Sequence, residues 1–136
     1  MRILALDHGT VRIGVALSDE LKMIALPLEF IPAEPFEAFL QRLQQILTEK
    51  QVERILVGMP RNMDGSYGPA TEKVREFIAA LRPTIAVPIQ TVDERLSSVQ
   101  AQKLLSQSGH SAKQQRGKVD QSAAAILLQS YLDNLN

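Results

Sequence analysis

The 136-residue chain predicts an α/β domain, a five-stranded mixed sheet with helices on both faces. Three observations carry that prediction. Five short runs are rich in β-branched and aliphatic residues. Segments of helical period separate the later ones, and glycine, proline and asparagine punctuate the joins. Strands alternating with helices require parallel pairing, whereas consecutive strands joined by short turns require antiparallel pairing. A chain that does both builds a mixed sheet.

Arg2–Asp7 and Arg12–Ser18 read as a β-hairpin around His8-Gly9-Thr10-Val11. Met23–Ile31 follows the turn at Asp19-Glu20-Leu21-Lys22, and its Pro27, which cannot donate to a ladder, marks an edge strand. Pro35–Lys50 places Phe36, Phe39, Leu40, Leu43, Ile46 and Leu47 at helical spacing, with proline in the first turn. Arg54–Gly58 is a short buried strand that runs into a Gly/Pro/Asn-rich loop, Met59–Pro69. Ala70–Leu81 is a second helix and Ala86–Val92 the fifth strand. Leu96–Leu105 reads as a helix and Ser106–Lys118 as a polar loop. Val119–Leu135 is the last helix, burying Ala123, Ala124, Leu127, Leu128, Tyr131 and Leu135. With no repeat and no linker, residues 1–136 are expected to form one domain.

Apolar residues make up 45% of the chain, in the globular range and outside that of disorder. Cysteine is absent, which excludes a disulfide framework and any thiolate ligand or nucleophile. A metal would have to be held by oxygen or by the two histidines. The apolar run at the N-terminus is too short for a signal sequence, and no stretch reaches membrane-spanning length. A cytoplasmic, soluble protein is expected.

The net charge of zero conceals an asymmetry. From Arg95 to Val119 there is no acid, yet Arg95, Lys103, Lys113, Arg116 and Lys118 fall there, so the remainder carries ten cations against fifteen acids. A solvated helix face and loop would explain the stretch; so would a track for a polyanion. No aromatic residue nearby offers a stacking platform, so phosphate contact is the expected mode.

Three carboxylates lie where packing alone does not call for them. Asp7 ends an otherwise apolar strand, at the carboxyl edge where α/β sheets bind ligands; a turn residue opening the hairpin is the competing explanation. Glu94 closes the fifth strand beside Asp93. If the strand continues, the two point to opposite faces and only one can face Asp7. Asp93 would then cap the next helix, although Glu94 could equally be a dipole-complementing residue there. Asp120 falls one turn before Ala123 and Ala124, on the core-facing stripe, and an N-cap role also accounts for it. Separated acids at the rim of an α/β core suit a hard, oxygen-ligated cation such as Mg²⁺. One or two such ions activate water and neutralise charge on a phosphodiester.

The motifs Asp7-His8-Gly9-Thr10-Val11-Arg12-Ile13-Gly14-Val15-Ala16, Val57-Gly58-Met59-Pro60, Asp93-Glu94-Arg95-Leu96-Ser97-Ser98 and Lys118-Val119-Asp120-Gln121-Ser122-Ala123-Ala124 closely resemble the bacterial YqgF family. Its members are described as pre-16S ribosomal RNA nucleases and as Holliday junction resolvase-like proteins. The resemblance covers the whole chain. It implies an RNase H-like fold with strand order 3-2-1-4-5, and a catalytic and metal-binding triad of Asp7, Glu94 and Asp120 served by Mg²⁺ or Mn²⁺. Arg54–Gly58 holds no acid, so the second ligand would come from the fifth strand rather than the fourth. Arg12, Arg61, Arg95, Lys113, Arg116 and Lys118 are the expected nucleic-acid contacts. The implied activity is metal-dependent endonucleolytic cleavage, with the 5′ end of pre-16S ribosomal RNA as the favoured substrate.

Holliday junction resolution is the alternative, and a non-catalytic RNA-binding assembly factor a third possibility. Junction resolvases are usually dimeric, and no long apolar stripe announces a dimer face, so a monomer or weak dimer is expected. The Asp7-x-Gly9-Thr10 turn is also similar to the phosphate loop of the actin, Hsp70 and sugar-kinase ATPases, which need two such domains. Gly9 and Gly14 have Walker-A spacing, but Val15-Ala16 stands where Lys-Ser/Thr is required.

Overall fold

A computed structural model describes residues 1–60, 68–93 and 123–135. The chain runs β1 (Arg2–Asp7), β2 (Arg12–Ser18), β3 (Ala25–Pro32), α1 (Phe36–Glu49), β4 (Val52–Met59), α2 (Pro69–Leu81), a single 3-10 turn at Arg82–Thr84, β5 (Ile89–Asp93) and α3 (Ala123–Leu135). The sheet order is β3-β2-β1-β4-β5. The β1–β2 and β2–β3 pairs are antiparallel, while β1–β4 and β4–β5 are parallel. That is the mixed, RNase H-like sheet expected, with β3 at its edge. The predicted helix Leu96–Leu105, loop Ser106–Lys118 and first turn of the last helix lie outside the described residues.

Side chains of β1 alternate between two cores. Leu4 and Leu6 join Val15, Ile55 and Val57 under α1 and α2, whereas Ile3 and Ala5 join Ala16 and Leu56 under α3. All four central residues of β1 are buried, as a strand covered on both faces requires. The first core is sealed by Phe39, Leu43 and Ile46 of α1 and by Val74, Phe77, Ile78 and Leu81 of α2. Buried Thr71 fixes the start of α2, its hydroxyl donating to the Pro60 carbonyl while accepting from the Gly68 N–H. At the other end of the sheet the Ser18 hydroxyl accepts from the Ile3 N–H at 2.9 Å. Asp19 closes the β2–β3 hairpin by accepting from the Met23 and Ile24 N–H groups at 2.8 and 3.0 Å.

Several boundaries and faces differ from expectation, each for a physical reason. Strand β5 begins at Ile89, not Ala86: the 3-10 turn ends at Thr84, residues 85–88 link it to the strand, and Pro88 has no N–H for a ladder. The Pro88 carbonyl instead accepts from the Ile55 N–H at 2.9 Å. Helix α3 buries Ala124, Ala125, Leu127, Leu128 and Leu132, and Leu135 is 54% exposed. Its early turns are apolar nearly all round, so periodicity admitted more than one phase. Tyr131 stays half-buried at the rim, where its hydroxyl meets Gln90 and the Arg54 guanidinium at 3.3 Å. The β2–β3 hairpin and the start of β3 also expose Leu21, Met23, Ile24 and Leu26, an apolar group that no sequence stripe announced.

Candidate active site

Strand alternation sends Asp7 to the α3 face, since Ile3 and Ala5 are there. The residue emerges half-buried at the carboxyl edge of the central strand. Its partner across the antiparallel pair is Gly14, whose own partner on β3 is Phe30. Partners across a ladder share a face, so Asp7, Gly14 and Phe30 form one row. A cavity of about 190 Å³ opens there, lined by Asp7, Gly14, Pro27, Phe30 and the first turn of α3, Ala123–Ala125. Gly14 is what keeps the carboxylate's flank open: a Cβ in its place would lie 3.7 Å from the Asp7 Cβ and 3.3 Å from the Phe30 ring. Exposed Arg12 holds its guanidinium 4.1 Å from the centroid of the Phe30 ring, a contact worth about 0.5–1 kcal/mol at such sites.

The turn itself is shaped by Gly9, where any Cβ would collide with the Arg12 carbonyl oxygen. His8 points to the other face and packs on Phe77, ring centroids 4.7 Å apart. Burial holds its pKa below the ordinary value, opposed by the Asp7 charge and reinforced by Lys73. Burial thus favours its neutral imidazole.

Asp93 pairs with Met59, which packs into the core under α1 and α2. Val92 contributes to the core under α3. Asp93 therefore lies on the face opposite Asp7, as the alternation argument required of one acid of the pair. Glu94 and Asp120, and the basic residues Arg61, Arg95, Lys113, Arg116 and Lys118, lie outside the described residues. Asp7 offers the hard carboxylate oxygen that Mg²⁺ or Mn²⁺ prefers, in a chain with no thiolate to compete. Among the described residues, no group of three or more His, Cys, Asp or Glu comes together as a metal site.

Sequence reasoning missed Gly14 and Phe30 as parts of this site. The signal for Gly14 was present, because a glycine inside a strand marks close approach or open space. Phe30 carried none, being one apolar residue of an edge strand.

The 3-2-1-4-5 mixed sheet is that of the RNase H-like fold, and Asp7 stands at the carboxyl edge of its central strand. Residues 1–134 match the model of the RuvX family, described as a Holliday junction resolvase. The chain belongs to that RuvX/YqgF family, and its enzyme class is nuclease. It is 49% identical over 134 residues to a protein of Desulforamulus reducens, covering 98% of each chain. It is 45% identical over 136 residues to one of Halothermothrix orenii, covering 100% of this chain and 97% of the other. Both are named "Putative pre-16S rRNA nuclease". Among solved structures, Thermus thermophilus RuvC matches with a TM-score of 0.54 at 16% identity, covering 99% of this chain and 96% of the other. The fowlpox virus Holliday junction resolvase matches with a TM-score of 0.51 at 14% identity, over 98% and 99% of the two chains. At such identities the likeness is one of fold.

Proposed function

We propose that this protein is a metal-dependent endonuclease that trims the 5′ end of pre-16S ribosomal RNA in the cytoplasm. The observation that carries it is Asp7, set at the carboxyl edge of the central strand beside an open cavity. Asp7, Glu94 and Asp120 would hold Mg²⁺ or Mn²⁺. Such a cation supplies Lewis-acid stabilisation of the charge that builds on the phosphate, and acidifies the attacking water. The chain's own part is to fix the carboxylates, to leave room for a phosphodiester beside Gly14, and to grip the flanking backbone with Arg12, Arg61, Arg95, Lys113, Arg116 and Lys118. The Asp93 orientation supports Glu94 as the second acid, since strand parity leaves Asp93 on the wrong face. The near-complete overlap with relatives carrying the ribosomal RNA name favours that substrate.

Resolution of four-way DNA junctions is the second reading, favoured by the description of the matching family. The deciding experiment incubates purified protein with pre-16S RNA and with a four-way DNA junction, side by side, in Mg²⁺, Mn²⁺ or EDTA. Cleavage of the RNA alone, lost in EDTA and in Asp7→Asn, is expected. Cleavage of the junction alone overturns the ribosomal reading, and cleavage that survives EDTA overturns metal dependence.

A further inference from the structure

Asp7 and His8 are neighbours on opposite faces of the sheet edge, so a second surface begins one residue from the candidate active site. On the side away from Asp7, a groove of about 470 Å³ runs between the His8–Thr10 turn and α2. One wall is aromatic. Phe77 lies at its base, 8% exposed, with the His8 ring 4.7 Å away and the Phe36 ring 6.5 Å away in edge-on contact. His8 and Phe36 are both half-buried, so each keeps some surface open to solvent. The rim is charged, with exposed Lys73, Glu76 and Glu34.

This chemistry is neither that of a core nor that of a phosphate track. Two carboxylates beside one ammonium repel a bare phosphodiester chain. They suit a planar ring carrying N–H donors, because carboxylates accept hydrogen bonds from an exocyclic amine such as cytosine N4. Aromatic walls suit the ring itself, since stacking an unpaired base contributes about 1–3 kcal/mol. Lys73 can then take the adjoining phosphate. Asp7 and His8 are consecutive, with Cα atoms about 3.8 Å apart, so this groove opens at the same end of the sheet as Asp7, on its other face.

We propose that the groove binds one unpaired, amino-bearing nucleobase of the substrate strand, next to the phosphodiester presented at Asp7. The inference rests on the nuclease reading for the presence of a strand there, and it adds a requirement that reading lacks. The cut site must offer an unpaired nucleotide, and cytosine must be preferred to uracil, which carries a carbonyl where cytosine carries its amine.

The test is fluorescence anisotropy with full-length Asp7→Asn protein and labelled RNA hexamers of cytidine or of uridine, with a blunt RNA duplex as control. The two hexamers match in charge and ring size, so they differ chiefly at the exocyclic group. The cytidine hexamer should bind about tenfold more tightly, within the range a good base contact allows. Adding Glu34→Ala and Glu76→Ala should abolish that preference without weakening the uridine hexamer. Adding His8→Ala should weaken the cytidine hexamer and leave duplex binding unchanged, whereas His8→Phe, which retains a ring, should bind as the parent does. Circular dichroism checks that each variant is folded. Equal affinity for the two hexamers in the parent, or the same loss on duplex and single strand in His8→Ala, overturns the proposal. If pre-16S RNA is not cleaved but the cytidine preference holds, the substrate reading fails and the groove stands. Cleavage without the preference is the reverse result.

Discussion

Gly14 contributes by what it lacks. It sits across the ladder from Asp7, and the absent side chain leaves the carboxylate's flank open. An added Cβ meets only ordinary contact at Asp7 and a slightly tight one, 3.3 Å, at the Phe30 ring. Gly14→Ala should therefore fold normally, its stability within about 1 kcal/mol of the parent. Gly14→Val projects methyl groups into the cavity beside Asp7, where the proposed substrate would sit. Displacements of about 1 Å can cost about 100-fold in rate, so single-turnover cleavage should fall at least tenfold in the valine variant. Parent-like cleavage by folded Gly14→Val would mean that substrate does not approach along this side of Asp7. The neighbouring acids provide a second test. Glu94→Gln should lose cleavage, whereas Asp93→Asn, on the opposite face from Asp7, should mainly shift the melting temperature. The opposite pattern would place the ligand one residue earlier and break the strand parity on which the choice rests.

Among the elements, β3 is one of the two edge strands, with a neighbour on one side only. It is held from both faces by side chains. Gln129 of α3 accepts from the Ala25 N–H at 2.9 Å and donates to the Met23 carbonyl at 3.0 Å, tying the helix to the strand's start. From the other face, Arg42 of α1 donates through Nε and one terminal nitrogen to the Glu29 carboxylate, at 2.9 and 2.5 Å. The Arg42 hydrogen bonds hold the Glu29 carboxyl below its usual pKa, against a smaller opposing effect of burial. A depressed carboxyl pKa contributes stability that is present above the unfolded value of about 4.3 and is lost as pH falls through the folded one. Thermal melts of the parent and Glu29→Gln should therefore differ at pH 7, by up to about 1 kcal/mol for a pair this exposed. The difference should close as the pH drops below about 4. A gap independent of pH would show that the pair contributes through packing rather than charge.

At the scale of the molecule, charge is segregated along the chain: five cations and no acids between Arg95 and Val119. Its two ends adjoin Glu94 and Asp120 in sequence, two residues of the proposed triad. On the proposed reading this basic stretch should contact phosphates without reading sequence, releasing counterions as it binds. Lys113→Ala with Arg116→Ala, in an Asp7→Asn background, should weaken binding to all sequences about equally. It should also flatten the dependence of log K on log salt by roughly one to two units. An unchanged slope would remove this stretch from the nucleic-acid surface. The apolar group at the β2–β3 hairpin lies on a different part of the chain and has no part in that prediction.

Five strands, two helices and the apolar start of the last were legible in sequence because local period and turn chemistry decide them. The Asp7-His8-Gly9-Thr10 turn and the order of the acids are likewise local or motif-borne. What tertiary structure decided is everything that depends on partners distant in the chain. Strand β5 starts late because Pro88 has no N–H to donate, and α3 turns its Ala125–Leu132 side inward because small Ala5 and Ala16 set the surface it packs on. Phe30 reaches the Asp7 row only through the β2–β3 register, and the His8 groove exists only because α2 lays Phe77 against the first turn. Periodicity shows which side of an element is apolar; which neighbour covers it, and what space is left between them, is settled only when the elements pack.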